Sequence, residues 1–430
     1  MPRRTTVIPS AARLMTSLRD IGYDLPSAVA DLVDNSIDAG ARSVEVTVCR
    51  RGAMSFIRIA DDGRGMTERV LDEAMRYGSR RNYAAGDLGK FGLGLKTASL
   101  SQCRRLTVAT RSTSAGPVRI RRWDLDHVRS RDAWELERLV PSECPRHVTS
   151  PLQSGPGTVV VWEKLDRILA YERPEGEYAA RALEAMSDSI AEHLAMAFHR
   201  YLAGETTDRR RLAITLNGVP IAAWDPFARG EPATQKLARQ RLLVEHRGVA
   251  HVVSVRPYVL PIQAQFSTPE AHAATAGPRK WNRQQGFYIY RGDRMIQSGG
   301  WNRVRTTDEH SKLARIAVDV PPGLEELFQV NVAKMRVVLP EDIRPALAAI
   351  AVGVTARAQE AYRHRLRLVE DDRPDGSDVG GSTLGDLWPV IFDVLVRELD
   401  GHPDLLDRVL VALANSRPPA DTPDTATAGI

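Results

Sequence analysis

A ten-residue stretch at residues 31–40, DLVDNSIDAG, combines acids and an amide with an apolar pattern typical of a helix. On a helix, Asp31, Asn35 and Asp38 lie on one stripe because they are spaced at i, i+4 and i+7. An acid and an amide one turn apart can hold a magnesium ion and a water, since magnesium takes oxygen ligands and keeps several waters and phosphate oxygens. Taken alone, the stripe is equally typical of a solvated face of an amphipathic helix.

A second stretch, ADDGRGM at residues 60–66, follows an apolar strand. A carboxylate at Asp61 can accept a hydrogen bond from an exocyclic amine, and Gly63 and Gly65 allow a flat base to approach the backbone closely. Alone, the pattern Asp-Gly-x-Gly is also an ordinary turn signal.

The third stretch, GDLGKFGLGLKTAS at residues 86–99, places several glycines before a predicted helix. Backbone N–H groups and a helix N-terminus in such a segment can cradle phosphate. The segment is not a Walker A loop, because Leu95 separates Gly94 from Lys96. It is not a protein-kinase loop either, because the kinase signatures HRD and DFG are absent.

Strands and helices that alternate along the chain must position these three stretches. Their alternation predicts one layered α/β domain over about the first 165 residues. The apolar pattern predicts strands at residues 44–48, 56–60, 106–111, 118–122 and 158–162, and helices at residues 26–40, 67–76, 93–103 and 179–202.

Further strands and two hairpin signals, at Asn217-Gly218 and Gly292-Asp293, predict a second α/β domain. Helical patterns return at residues 340–369 and 384–415, and the polar last residues are typical of disorder. We therefore predict an N-terminal arm, a first and a second α/β domain, a helical C-terminal region and a tail, at residues 1–25, 26–204, 205–340, 341–415 and 416–430.

The composition excludes several classes of protein. The 430 residues are 43% hydrophobic and 26% charged, which is ordinary for a globular chain. No apolar run is long enough to span a membrane, no signal-peptide core is present, and Cys49, Cys103 and Cys144 form no CxxC pair, so we expect a cytoplasmic protein. The net charge of +5 permits nucleic-acid binding without indicating it.

The three stretches, in this order and spacing, resemble the N box and the two glycine boxes of the GHKL superfamily. This superfamily includes gyrase B, MutL, the ninety-kilodalton heat-shock chaperones, sensor histidine kinases and MORC-type ATPases. The resemblance implies an α/β fold of the Bergerat type, an α+β sandwich, that binds ATP and magnesium. Asn35 would ligate magnesium, Asp61 would bind the adenine amine, and residues 78–91 would form a lid over the ATP. The implied nucleotide contacts are Asn35, Asp61, Gly63, Gly65, Met66, Gly89, Lys90, Phe91, Gly92, Leu93, Gly94, Lys96 and Thr97.

One departure from the family pattern concerns catalysis. Members that hydrolyse ATP usually carry glutamate four residues before the magnesium-binding asparagine, and here that position is Asp31. A general base must reach its water within about 2.6–3.2 Å. Asp31 is therefore expected either to activate the water through a shifted helix or a second water, or to leave ATP as a binding switch without hydrolysis.

In gyrase, MutL and MORC-type proteins, a transducer domain follows the ATPase domain and sends one basic residue to the γ-phosphate. Lys334 is the candidate here, because it is one of only seven lysines and a lysine ammonium suits phosphate. The segment GFYIYRGDRMIQSGGW at residues 286–301 resembles the MORC-type transducer, which makes bacterial MORC-like proteins the closest match. Such genes often lie beside restriction or phage-defence genes.

The resemblance implies an ATP-dependent homodimer that clamps DNA or a partner protein. The alternatives are a non-hydrolysing regulatory scaffold for a separate nuclease and a chaperone-like ATPase. Candidate DNA contacts are the arginine-rich segments 119–122, 209–211 and 279–283, the last of which includes Trp281. Solvated edges of an arginine-rich protein explain these segments equally well.

Overall fold

The computed structural model describes residues 4, 7–20, 22–78, 94–169, 175–329 and 337–371, with side chains described up to residue 362. Residues 1–366 form one compact unit. Several predicted features lie outside the described residues: the lid, the contacts at Gly89, Lys90, Phe91, Gly92 and Leu93, the basic residue Lys334, the helical segment 384–415 and the tail.

Eleven α-helices are found among the described residues, four of them within the first hundred. Their bounds are α1 Ala11–Arg19, α2 Leu25–Asp38, α3 Glu68–Met75, α4 Gly94–Gln102, α5 Leu125–Arg131, α6 Arg146–Thr149, α7 Glu177–Ala197, α8 His199–Ala203, α9 Pro269–Ala276, α10 Lys280–Gln284 and α11 Arg344–Asp371. Short 3-10 turns cover Pro141–Glu143, Ser150–Gln153, Gln263–Gln265 and Glu309–Ser311.

The first sheet has eight strands in the order β5-β4-β3-β6-β2-β1-β7-β8. Their bounds are β1 Ser43–Cys49, β2 Phe56–Asp61, β3 Arg105–Arg111, β4 Arg119–Asp124, β5 Glu137–Leu139, β6 Gly157–Glu163, β7 Ala213–Leu216 and β8 Val219–Pro220. Neighbouring strands are antiparallel except β1 and β7, which are parallel. Because β2 is flanked by β1 and β6, its last residue, Asp61, lies opposite Val44 on one side and Thr158 on the other.

Helices cover one face of this sheet and bury the main core with it. Helix α2 lies at the centre of that layer, with α4 and α7 as its principal helical neighbours. Asp24 caps α2 by accepting a hydrogen bond from the Ser27 N–H at 2.8 Å, and Pro26 occupies its first turn, where proline is tolerated. The opposite face of the sheet carries a smaller apolar cluster around Phe56.

The second sheet has the order β10-β11-β14-β12-β13, and β9 pairs with β11. Its strands are β9 Gln235–Lys236, β10 Gln240–His246, β11 Val249–Val259, β12 Gly286–Arg291, β13 Arg294–Gln297 and β14 Ala314–Val320. Helix α11 packs against this sheet through a row of buried side chains that includes Leu347, Ile350 and Val354. The mixed α/β class predicted from the sequence is therefore confirmed, with two mixed sheets.

The structure corrects two predictions of organisation. The hairpin of β7 and β8 belongs to the first sheet, because β7 pairs in parallel with β1, whereas the sequence analysis assigned it to the second domain. The helix predicted at residues 179–202 is divided at Phe198 into α7 and α8. Within the part of the chain that the structure describes, no helix could cross a membrane.

The position of β7 generates a prediction about where the first domain ends. Leu212, Ile214 and Leu216 are buried in the first core, and each buried side chain of this kind contributes roughly 1.5–3 kcal/mol. Their sum is comparable with the whole stability of a typical domain. We expect the fragment 7–222 to unfold cooperatively by circular dichroism and the fragment 7–204 not to do so. Equal melting temperatures for the two fragments would place the boundary at residue 204.

Candidate functional site

The Asp61 carboxylate lies at the end of β2 and faces α2. Its Oδ2 accepts a hydrogen bond from the Ser36 hydroxyl at 3.0 Å, and its Oδ1 accepts one from the Gly63 N–H at 2.9 Å. Burial raises the pKa of this carboxyl to about 6, although these hydrogen bonds oppose the rise. A carboxylate retained in such surroundings is a candidate for ligand recognition.

Two threonines that the sequence analysis did not single out lie beside Asp61. Thr158 on β6 is the register partner of both Asp61 on β2 and Thr110 on β3. The Thr110 hydroxyl lies 3.2 Å from that of Thr158 and accepts a hydrogen bond from the Met66 N–H at 2.9 Å. Thr158 begins an apolar strand in the sequence, which is the one local signal that could have pointed to it.

Two glycines in the predicted base pocket have almost no room for a side chain. A Cβ on Gly65 would lie 2.0 Å from the Arg111 carbonyl oxygen, and Gly65 also has a φ of +61°. A Cβ on Gly63 would lie 2.8 Å from the Cβ of Ala39. The chain therefore turns tightly at the end of β2, with Met66 packed partly against the main core.

Asp31 lies on α2 with its carboxylate facing the start of α4. A Cβ on Gly94, the first residue of α4, would lie 2.7 Å from Oδ2 of Asp31. The Tyr23 hydroxyl donates a hydrogen bond to the same oxygen at 3.3 Å, and Thr97 also contacts the Tyr23 hydroxyl. Burial and the neighbouring Asp31 raise the pKa of Tyr23, so its hydroxyl stays a donor at neutral pH. The sequence analysis did not identify Tyr23.

Asn35 lies one turn beyond Asp31 and is exposed, whereas Asp34 and Ser36 beside it are buried. No group of three or more His, Cys, Asp or Glu side chains among the described residues could hold a metal. The donors present fit magnesium bound together with a phosphate ligand, because that ion takes one or two protein oxygens and completes its shell with phosphate and water. Asn35 offers an accessible amide oxygen for this purpose.

Lys96 is engaged differently from the phosphate contact implied by the resemblance. Its ammonium donates a hydrogen bond to the Ala74 carbonyl at 2.7 Å, in the last turn of α3. Carbonyls in a last helical turn lack intrahelical donors and attract cations. Burial lowers the pKa of Lys96 to about 8. A phosphate contact would require the ammonium to leave Ala74.

The arginine-rich segments are largely occupied by internal contacts. Arg121 is buried against Glu68 and Asp72, and Trp281 is stacked on His272 with ring centroids 4.7 Å apart. These contacts engage Arg121 in segment 119–122 and Trp281 in segment 279–283, whereas Arg279, Lys280 and Arg283 are exposed. The segment 209–211 is exposed on all three residues.

The part of the chain that carries the site is similar to known proteins. Residues 23–158 match the family described as histidine kinase-, DNA gyrase B- and HSP90-like ATPases. Similar curated proteins are DNA mismatch repair proteins MutL. That of Halobacterium salinarum is 43% identical over 95 residues, 21% of this chain and 14% of the relative. Those of Pseudomonas paraeruginosa and Pseudomonas putida are 37% identical over 97 residues and 36% identical over 127 residues, covering 21% and 28% of this chain and 15% and 18% of the relatives. The chain thus matches less than a fifth of the length of each.

The raised pKa of Asp61 generates a prediction for Asp61→Asn. The asparagine oxygen can accept from Gly63 while its amide donates to the Ser36 oxygen, so the local hydrogen bonds survive. Because the folded-state pKa of Asp61 is near 6 and the unfolded value near 3.8, wild type loses stability as pH rises between these values. We expect the melting temperature of the variant, relative to wild type, to rise from about pH 4 to about pH 6 and then level off.

Asp62→Asn is the matched control, because exposed Asp62 accepts the N–H groups of Arg42 and Ser43 through one oxygen that asparagine retains. This control removes one carboxylate charge from the residue that follows Asp61. Scanning fluorimetry across this pH range measures both variants. If the difference in melting temperature between Asp61→Asn and wild type did not change with pH, it would contradict the raised pKa of Asp61.

Proposed function

We propose that this chain is an ATP-binding molecular switch that hydrolyses ATP, because residues 23–158 match the family described as histidine kinase-, DNA gyrase B- and HSP90-like ATPases. The single observation that carries the proposal is the half-buried Asp61 carboxylate between Ser36 and the close-approach glycines. Such a carboxylate accepts a hydrogen bond from an exocyclic amine, as the amine of adenine provides.

The adenine end of the proposed pocket is built into the sheet. Asp61 receives the amine. Thr158 on the adjoining strand β6 lies opposite it, and Thr110 on β3, one strand further, places its hydroxyl beside that of Thr158. Gly63 and Gly65 keep the neighbouring backbone free of side chains, so a flat ring can approach it. Met66 follows these glycines along the same side of the proposed pocket, and its N–H donates a hydrogen bond to the Thr110 hydroxyl.

The phosphate end of the pocket is formed by α2 and the start of α4. The N-terminus of α4 at Gly94 offers N–H groups and the positive end of a helix dipole to phosphate. Asn35 would hold magnesium, which neutralises phosphate charge when it is bound. The other contacts implied by the resemblance, Gly89, Lys90, Phe91, Gly92, Leu93, Lys96 and Thr97, complete this end of the proposal.

Asp31 is the proposed general base. Its carboxylate already lies at the N-terminus of α4, where the phosphates are proposed to bind. The hydrogen bond from Tyr23 orients the carboxylate from the side of the N-terminal arm. This orientation favours a direct role for Asp31 although its side chain is one methylene shorter than glutamate.

Beyond ATP binding, we propose that the chain dimerises with ATP bound, clamps DNA or a partner protein, and acts in restriction or phage defence. The MutL relatives are named DNA mismatch repair proteins, which supports a DNA partner. Exposed Arg209, Arg210 and Arg211 are one described segment suited to phosphate contact, and exposed Arg279, Lys280 and Arg283 are another. Lys334 is the proposed contact from the second domain to the γ-phosphate.

The nucleotide site predicts the outcome of two substitutions. Asp61→Asn presents a donor where the adenine amine needs an acceptor, and such an unpaired contact costs about 1–3 kcal/mol, or roughly five- to 150-fold in affinity. Asn35→Ala removes the proposed magnesium ligand and should weaken Mg-ATP binding without affecting Mg-free ATP. Isothermal titration of ATP with and without magnesium measures both effects, and wild-type affinity in either variant would contradict the pocket.

The base assignment predicts that Asp31→Asn lowers steady-state turnover at least tenfold, about 1.4 kcal/mol of barrier, while ATP affinity changes little. The amide keeps the shape and the Tyr23 contact but loses basicity. Tyr23→Phe serves as the companion variant, because it retains the base and should lower turnover less. Full turnover in Asp31→Asn would move the base elsewhere, and no turnover in wild type would favour the non-hydrolysing switch.

A further inference from the structure

The hairpin formed by β12 and β13 belongs to the second sheet. Its turn is anchored on α8, a helix of the N-terminal part of the chain. Its two turn residues, Gly292 and Asp293, have φ values of +53° and +66°, the left-handed pair of a tight hairpin turn. The Tyr201 hydroxyl donates to the Gly292 carbonyl at 2.7 Å. Arg200 and Thr207 both bind the Asp293 carboxylate, at 3.1 Å and 2.9 Å. The hairpin is therefore held at its tip by several directional contacts.

Arg294, the first residue of β13, continues from this turn into the interior. Its Nε lies 2.8 Å from Oδ1 of Asp34, and the side chains of Arg294 and Asp34 are 3% and 1% exposed. The guanidinium also lies 5.4 Å from the ring centroid of Phe198, which separates α7 from α8. A side chain of the second sheet thus forms a buried ion pair with α2 of the first.

Asp34 is adjacent to Asn35 and less than one turn from Asp31. Successive residues of an α-helix are rotated by about 100°, so buried Asp34 and exposed Asn35 point in different directions. Any rotation of α2 that moves Asp34 moves Asn35 and Asp31 with it. The contact on Asp34 is therefore one of the contacts that set how the helix presents the other two residues.

Stability alone does not account for this ion pair. Removing two charges from water costs several kcal/mol per ion, and well-packed apolar residues in place of a buried pair are often neutral or stabilising. A buried pair is best attested where it selects one arrangement over others. Here the arrangement selected is the orientation of α2 relative to the second sheet.

We propose that Arg294 is a positioning residue for the nucleotide site, through which the second domain sets the orientation of α2 by way of Asp34. This inference rests on the proposed ATP binding and deepens it. The contact at Arg294 gives the second domain a role in nucleotide affinity. This role is separate from the γ-phosphate contact proposed for Lys334. By thermodynamic linkage, nucleotide binding then strengthens hairpin docking by the same factor.

The test measures the affinity for a non-hydrolysable ATP analogue with magnesium by isothermal titration. Arg294→Met should weaken binding at least tenfold, because methionine keeps much of the apolar contact with Phe198 and loses the charge. Arg294→Lys should restore part of the affinity, since the charge returns without the planar guanidinium. Adding Asp34→Asn to Arg294→Met should cause little further loss, because residues that act through one contact are not additive.

Arg200→Met is the matched control. Arg200 binds Asp293 in the hairpin turn and Asp319 on β14 of the second sheet but has no described contact with α2. It should lower the melting temperature while leaving analogue affinity within about twofold. All titrations are made below the melting temperature of the least stable variant. If Arg294→Met does not fold, Asp34→Asn and Arg294→Lys carry the same comparison.

Wild-type affinity in Arg294→Met, or an equal loss in Arg200→Met, would overturn the proposal, since Arg294 would then be only one of several anchors. Additive effects of Asp34→Asn and Arg294→Met would also overturn it. Failure of the proposed function is distinct, because wild type itself would not bind the analogue and Asp61→Asn would change nothing.

Discussion

The burial of one polar helix, α2, is the constraint on which the candidate site depends. Ten of its fourteen residues are buried, and they include Asp31, Asp34 and Ser36. A buried polar group is costly unless it is paired, so each of these side chains needs a partner in a defined direction. The partners come from three parts of the chain: Tyr23 from the segment before α2, Arg294 from the second sheet and Asp61 from the first. Together these contacts fix the rotation of α2 about its own axis and the depth to which it is buried.

The sheet supplies a second constraint at the end of β2. The Arg111 carbonyl approaches Gly65 so closely that a Cβ there would clash, and the Asp61 carbonyl approaches Gly157 in the same way. Three strands therefore meet closely where Asp61 leaves the sheet. This close packing shields the carboxylate from water and raises its pKa, so the folded state retains an acid that reduces its stability at neutral pH. The proposed adenine ligand, which needs an acceptor here, gives this acid a reason to be present.

The sequence predicted the parts of the site that local pattern encodes. Helix α2 and strand β2 have clear apolar periods, and the glycines near Asp61 follow a recognisable turn pattern, so their location was predictable. Contacts between distant segments were not. Nothing local shows that Arg294 pairs with Asp34, that Tyr23 reaches Asp31, or that Lys96 binds the end of α3, because each depends on how whole elements pack. The parallel pairing of β7 with β1 was missed for the same reason, since its hairpin signal indicates a turn but not the sheet it joins.

The two ends of the proposed pocket consequently have different supports. At the adenine end, Asp61 and Thr158 belong to adjoining strands whose hydrogen bonds fix their separation. At the phosphate end, Asp31 depends on Tyr23, and the orientation of α2 depends on Arg294, both of which lie outside those strands. We therefore expect a displacement of the second sheet to act mainly on the phosphate end, and to reach the adenine end only through the hydrogen bond from Ser36 of α2 to Asp61. Such a division lets a nucleotide remain held by its base while contacts to its phosphates change, which is the differential interaction that a switch requires.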